Sequence, residues 1–584
     1  MTYEKGIPDY AMVPAKELEE SVIVPITKGA IYSPVQVTDI TEKQSTLLTL
    51  EEDILVPDIK PDLHEILLIS GKPCLAVRET DQIARGDDYI NVSGEVELQA
   101  LYLPEKQEHG CPLVSIQTKI PFKDQWHMDL TPGTSLTLSC RTESIEHMVI
   151  NERKFRVKIV LCVTAREYKD TKAEIFEGII DEDLQTLKEN IEVSSVVLRK
   201  KDSLSIREDI FPKESCRPES LLKQDICVVE NYQQTAGDKI VVNGFIYVNL
   251  LYLASSGEDD SSAHPEQGEL LVSAAGSEPD GSQMASATAA SKDTSACFDN
   301  ICQMQDRVEF TQFIPLPQAG DFSGVDICFD DSRLRIKLTQ DDNGKDVFRL
   351  EGELLTYAAL YRNSQRELIA DGYHREKNFV CEFEEISCKT LVGFSTGEAS
   401  VREIISVDGH QQEAARILYT SASVVSGESR LDQNKIITEG TICADIICLG
   451  TQDDCCLFVQ KGSLPFRVVT AAPQLCGNEI VTQKIFLKDI WAEKINGKQI
   501  EFNGTVLVCA QILKPTPFRL IKNPAFEEGS DPRGVSSMVI YICRPGDTLW
   551  NIAKKFKTTM TSIRTINGLS DDLLSEGQKL LMVK

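Results

Sequence analysis

One pattern occurs three times in this chain and limits what it can fold into. The stretches "DYINVSGEVELQALYL" (Asp88 to Leu103), "DKIVVNGFIYVNLLYL" (Asp238 to Leu253) and "NKIITEGTICADIICL" (Asn434 to Leu449) alternate apolar and polar residues around a single glycine. Gly94, Gly244 and Gly440 hold the glycine place, and each copy ends in a short apolar run. Alternation with β-branched residues is the signature of a half-buried strand, not of a helix. A glycine inside such a run implies a bulge or bend, so each strand is expected to curve there. Three copies imply one supersecondary unit used three times.

Each copy has companions. Downstream of Gly94 comes "IPFKDQWHMDL", with Pro121, and downstream of Gly440 comes "LPFRVV", with Pro465. After Gly244 the matching stretch is "FIPLPQAGDF", displaced by an insertion. The insertion, residues 255–296, is rich in Ser, Ala, Gly and acid and almost without aromatics, so it is expected to be disordered. Runs beginning at Asn151, Asn343 and Asn496 close each unit, and Asn-Gly before an alternating run signals a hairpin. The expected organisation is an extension at 1–40, β modules at 41–190, 191–385 and 386–520, a Gly/Pro/Ser-rich linker at 521–537 and a last domain at 538–584. The fold class is mainly β: three repeated, sandwich-like modules plus a small α+β domain. Helix is expected only in short pieces such as "IDEDLQTLKENI" and "PDLHEILLI".

Composition excludes several function classes. A formal net charge of −29 argues against nucleic-acid binding, which needs a basic footprint. The first residues lack a charged segment followed by an apolar one, and no run approaches the roughly 18 apolar residues of a membrane span. The expectation is a soluble intracellular protein without membrane insertion. The 18 cysteines are irregularly spaced, with no C-x-x-C, and imply reduced structural thiols such as Cys443 and Cys448. Vicinal Cys455 and Cys456 are the redox candidates. Seven scattered histidines without H-E-x-x-H imply no metal site, and no cofactor motif occurs. "GFSTG" (Gly393 to Gly397) matches G-x-S-x-G, but without α/β alternation around it the expectation is a surface turn. Acidic runs such as "EEDIL" and "IIDEDL" are expected to be solvated faces. No P-loop occurs, and no catalytic residue is assigned.

The segment from Val539 onward, "VIYICRPGDTLWNIAKKFKTT", has a different logic. A short strand is followed by the turn Pro545-Gly546-Asp547, and Asp547 or Thr548 can cap a helix on which Leu549, Ile552, Ala553 and Phe556 line one face. A second helix, capped by Thr559 or Thr561, stops at Asn567-Gly568, and "EGQKLLMVK" is a last strand. The order is βααβ. Trp550 lies beside the apolar stripe, where a partly exposed indole suits a sugar or a protein partner. Lys554, Lys555 and Lys557 make the domain locally basic on an acidic chain, which suits an acidic partner face.

In the residues "YxxxPGDTLWxIAxxF", Ile563, Asn567 and "EGQKLLMV", this segment resembles the LysM domain. That resemblance implies a shallow groove for N-acetylglucosamine polymers between two loops. Carried onto this sequence, the groove is Gly546, Asp547, Thr548, Leu549 and Trp550 facing Asn567, Leu569, Leu573 and Leu574. The repeats, with "EEDILVPDIKPDLHEILLISGKPCLAVRET" (Glu51 to Thr80) ahead of the first glycine strand, resemble the SPOCS domain of spore coat proteins. The second module echoes that lead-in loosely in "REDIFPKESCRPESLLKQDICVVE", and the third lacks its proline run. Repeated SPOCS units before one LysM domain are similar to the SipL-type coat morphogenetic proteins. The resemblance implies a non-enzymatic scaffold in the mother-cell cytoplasm, at the forespore surface. Its LysM domain would bind the coat-basement sporulation ATPase, and its SPOCS modules other coat proteins. The alternative is a peptidoglycan-binding protein of the wall or cortex.

Overall fold

A computed structural model describes residues 22–26, 29–44, 47–80, 89–105, 113–127, 134–213, 216–255, 298, 300–317, 320–407, 413–451, 457–472, 475, 477–528 and 538–583. The insertion 255–296, past its first residue, and the vicinal pair Cys455–Cys456 lie outside them. The fold is mainly β, with two helices among the described residues, both in the C-terminal domain.

Each glycine strand is the middle strand of an antiparallel three-stranded sheet. In the first module Tyr89–Pro104 lies between Leu63–Leu75 and Val114–His127. In the second, Lys239–Ala254 lies between Pro218–Ala236 and Ile301–Pro315. In the third, Lys435–Gly450 lies between Ala414–Asp432 and Leu457–Ala471. A second sheet faces each one, built on the long strands Lys154–Ile179, Asp346–His374 and Gln499–Pro515. The alternating residues of both sheets close one core per sandwich, as Val96, Leu98, Phe155 and Val157 do in the first.

The repeated glycine answers a ring. Gly94, Gly244 and Gly440 stand opposite Phe122, Phe310 and Phe466. A Cβ at Gly440 would lie 2.6 Å from Phe466 Cζ and 2.6 Å from the Val425 carbonyl oxygen, and Gly244 meets Phe310 Cζ at the same 2.6 Å. Each phenylalanine is laid across its glycine, a cross-strand pairing that only a residue without Cβ allows. The match drawn at "FIPLPQAGDF" is therefore corrected. The second module's counterpart of "IPF" and "LPF" is "VEF", Val308 to Phe310. The ring, not the proline, is what the position requires.

The lead-in motif has a similar explanation. Asp53 stands opposite Arg156, which binds it through Nε at 2.6 Å and NH2 at 3.2 Å. Asp209 and Arg349 repeat this at 2.6 and 2.8 Å. Fork-to-fork pairs of this kind are geometrically specific. Side-chain bonds from Arg156 and Lys154 hold Asp53 well below the usual carboxylate range. In the third module the equivalent positions are Ile404 and Glu501, so acid and base are lost together.

The three sandwiches close around a common centre. The apolar runs that end the glycine strands are buried on both faces: Tyr102, Tyr252 and Cys448 point into their own sandwiches. Leu101, Leu251 and Ile447 instead meet in one cluster to which all three modules contribute. Farther along, Arg166 of the first module and Lys484 of the third both bind half-buried Asp326 of the second, at 3.0 and 2.5 Å. Beside this knot lies a cavity of ≈ 470 Å³.

Beyond the sandwiches the long strands run on as paired ribbons. Ala30–Gln44 pairs with the end of Lys154–Ile179, the start of Leu184–Ile210 with the end of Asp346–His374, and Asn378–Ile386 with Phe518–Glu528. Val35, Val193, Leu368, Ile386 and Leu520 bury against one another, so the ribbons form a common stalk. Val22–Pro25 adds a strand to the third ribbon. Each ribbon carries one extra residue at the same place, at Glu177, at Ala370 and at Asn523-Pro524.

Several local expectations change. "IDEDLQTLKENI" and "PDLHEILLI" are not helical: from Leu184 and from Leu63 onward they are strand, because their pairing across the ribbon and the first sheet overrides local helical spacing. Part of the linker composition, Lys522 to Glu528, is strand, with Pro524 accommodated at the bulge where no ladder bond is needed. "GFSTG" is not a turn: it runs within Lys389–Ser406, and the Ser395 hydroxyl donates to the Ala471 carbonyl. Within the "EEDIL" and "IIDEDL" runs, Asp53 is ion-paired to Arg156 and Asp183 to Arg375, while Glu52 and Glu182 lie exposed as expected.

Candidate functional site

The C-terminal domain is built on the strand Met538–Ile542, paired antiparallel with Lys579–Val583. Two helices lie between, α1 (Leu549–Phe556) and α2 (Met560–Asn567). Of the two capping alternatives, Thr548 caps α1, accepting the Asn551 N–H at 3.1 Å, and Thr559 caps α2, accepting the Ser562 N–H at 3.0 Å. Gly568 ends α2 with φ 65°, a left-handed stop that glycine adopts without strain. Leu549, Ile552, Ala553, Ile563, Leu580 and Met582 form the core.

The expected groove residues separate into three groups. Asp547 is committed to its turn: its Oδ2 accepts from the Arg544 N–H and the Tyr541 hydroxyl, both at 2.8 Å. Those bonds hold its carboxyl below the usual range. Asn567 is likewise committed, clamping α2 to the last strand by accepting the Leu581 N–H at 2.6 Å and donating to the Leu581 carbonyl at 2.9 Å. Leu549 is core at 1 % exposure, and Leu569 and Leu574 are half-buried. Gly546, Thr548 and Leu573 remain as open lips, Leu573 at 83 % exposure. Arg564 braces the Leu573 loop through a two-pronged bond to Asp572 at 2.6 and 2.7 Å.

Trp550 corrects the expectation of a partly exposed indole. It is 7 % exposed, and what covers it is the second ribbon. Its ring packs on Tyr373 with centroids 5.0 Å apart, and its N–H donates to Asp371 Oδ2 at 2.9 Å. Lys554, one turn along α1, binds both Asp371 oxygens at 2.7 and 2.8 Å. Lys557 donates to the carbonyls of His374 and Lys377, and Tyr373 donates to the Thr558 carbonyl at 2.5 Å. Burial raises the Asp371 pKa, but Lys554 and Trp550 outweigh it and hold the carboxyl below its ordinary value. Lys555 points elsewhere, over the Tyr541 ring at 4.9 Å. The basic face is thus engaged within the chain.

Asp371 and Tyr373 were not singled out from sequence. Alignment of the ribbon ends could have found them: "IFEGI", "LIADGYH" and "LIKNPAF" carry the extra residue at the same place, but only the second has an acid followed by a tyrosine. Asp181, Asp183 and His374 converge beside the seat, close enough to share a metal ion. However, His374 Nδ1 accepts the Glu376 and Lys377 N–H groups at 3.0 Å each, and its Nε2 faces Asp181 at 3.2 Å. That pattern fixes Nε2 as the protonated nitrogen and makes the group a structural brace.

The fold and site define a three-lobed, β-sandwich body with a small βααβ domain seated on one of its ribbons. Residues 541–582 match the family model of the LysM domain, so that small domain is a LysM domain. No solved structure matches the chain. Among the described residues, no helix is long and apolar enough to cross a membrane.

Proposed function

We propose that this protein is a non-enzymatic scaffold of spore coat assembly. In this reading it stands in the mother-cell cytoplasm at the forespore surface. Its LysM domain engages the coat-basement sporulation ATPase and its three β modules engage other coat proteins. The observation that carries a binding role is the seating of the LysM domain. One face is bolted to the body by Trp550, Lys554 and Lys557, while the groove lips Gly546, Thr548 and Leu573 stay uncovered. A domain held this way presents its groove in a fixed direction, and several surfaces on one body add affinity through effective concentration. The repeated glycine-phenylalanine modules and their lead-in, which resemble SPOCS units, support the coat assignment.

A second reading has its own support. A LysM domain points to glycan or peptidoglycan binding, and the open Leu573 is an apolar lip of the kind a sugar acetamido methyl can pack on. One experiment separates the two. The full chain and its Leu573→Asp variant are used as baits in extracts of sporulating cells, with purified peptidoglycan in parallel. Capture of the ATPase that weakens in the variant, without peptidoglycan retention, is the result expected of the scaffold. Peptidoglycan retention without the ATPase replaces it with the glycan reading.

A further inference from the structure

The second ribbon treats the LysM domain as a receptor. It offers α1 an extended segment, Asp371-Gly372-Tyr373, re-aimed by the extra residue Ala370. The carboxylate takes the indole N–H and the Lys554 ammonium, the phenol ring takes the indole face, and two backbone carbonyls beyond them take Lys557. Trp550 reads both acid and aromatic, Lys554 the acid again and Lys557 the main chain, and short peptides are recognised elsewhere by such combined side-chain and main-chain contacts. The groove lips Gly546, Thr548 and Leu573 take no part in these contacts.

We infer that the outer face of α1 is a peptide-binding surface for extended Asp-x-Tyr strands, and that the chain's own second ribbon fills it. The other two ribbons explain the choice of seat. Immediately past the extra residue, where the second ribbon has Asp371, they carry Gly178 and Ala525, and neither offers a tyrosine two residues on. The contact is also releasable in kind, being one aromatic pair ringed by polar and charged bonds, as in transient rather than obligate interfaces. A segment tethered in the same chain competes at an effective concentration of the order of millimolar. A partner that presents an Asp-x-Tyr strand therefore gains the face only by displacing the ribbon. Binding at α1 is held back by the chain itself. The inference goes beyond the proposed function, because it needs neither the coat assignment nor the glycan groove.

The test uses a fluorescent peptide of residues 366–377, "RELIADGYHREK", and anisotropy titrations against three full-length chains. They are the wild type, the ribbon-open Asp371→Ala/Tyr373→Ala variant, and that variant with Trp550→Ala added. The expected result is binding to the open variant at least tenfold tighter than to the wild type. It is lost on adding Trp550→Ala and lost for a peptide whose Asp is Ala. Hydrogen exchange of the α1 and α2 amides shows that the domain stays folded in each variant, and Asp371→Asn alone serves as a milder opening if the double variant does not. Equal binding to wild type and open chain, or none to an open chain with protected helices, overturns the inference.

Discussion

Replacing Glu230 by glutamine removes a carboxyl that the fold keeps away from water. Glu230 lies on Pro218–Ala236 at the bulge between Glu230 and Tyr232, and it lines the central cavity with Asp326 of its own module and Lys484 of the third. Burial pushes its pKa up to about 7, Lys484 pulls the other way, and Asp326 pushes it up further. The ordinary value is 4.5. Between those values the native chain holds a proton that the unfolded chain has released, so stability falls as pH rises. The group's contribution is fully present below the unfolded pKa and gone above the folded one. At about 1.4 kcal/mol per unit, the ceiling is about 3 kcal/mol, reduced by whatever solvent reaches the cavity. Glutamine keeps the shape and cannot ionise. The variant should match the wild type near pH 4 and exceed it in urea midpoint near pH 8, with the gap opening between pH 4.5 and about 7. Other titrating groups contribute equally to both chains and cancel in the difference. Parallel midpoints across this range, or a variant weaker at pH 8, would refute the placement of Glu230 in a low-dielectric junction.

Gly440→Ala forces a methyl into the Phe466 ring and the Val425 carbonyl and should cost about 1–3 kcal/mol in chemical denaturation, with partial recovery on adding Phe466→Leu. Asp326→Asn takes from Lys484 its carboxylate partner and leaves Arg166 only Glu42 at 3.5 Å, between three modules, and should cost about 3–5 kcal/mol. A companion Lys484→Met should return much of that loss in a thermal melt. The seat of the LysM domain should open in acid. The Asp371 pKa is lowered in the fold, so its contribution is present above the unfolded value and lost as pH falls through the folded one. A change in Trp550 fluorescence below pH 4, absent in Asp371→Asn, is the expected sign.

Much of the fold was legible because strands announce themselves by alternation. The glycine strands, the Asn-Gly hairpins and the two capped helices depend on local chemistry, and all stand where the pattern put them. What was not legible depended on partners far away in sequence. "IDEDLQTLKENI" has helical spacing, but pairing with the end of Asp346–His374 decides its state. The glycine was visible as a special position, but the need for an opposing phenylalanine was not, so a proline misaligned the second module. At the site, Trp550 stands beside the domain's apolar stripe and is buried in one cluster with it, not partly exposed as expected. Its cover came from Asp371 and Tyr373, which no local rule connects to α1.

The short strand Val22–Pro25 has a consequence for how the body is made. It belongs to the start of the chain yet pairs with Phe518–Glu528, on the far side of the third module. Among the described residues, the body's first strand thus pairs with its last, closing the three modules into a ring as a buckle closes a belt. During synthesis each sandwich can gather as it emerges, but the ring cannot close until the final ribbon strand has left the ribosome. Until then the third ribbon lacks its partner and exposes an unpaired edge with which another chain can pair. A chain cut short before Phe518 would therefore be left with an open ring, not merely a missing tail.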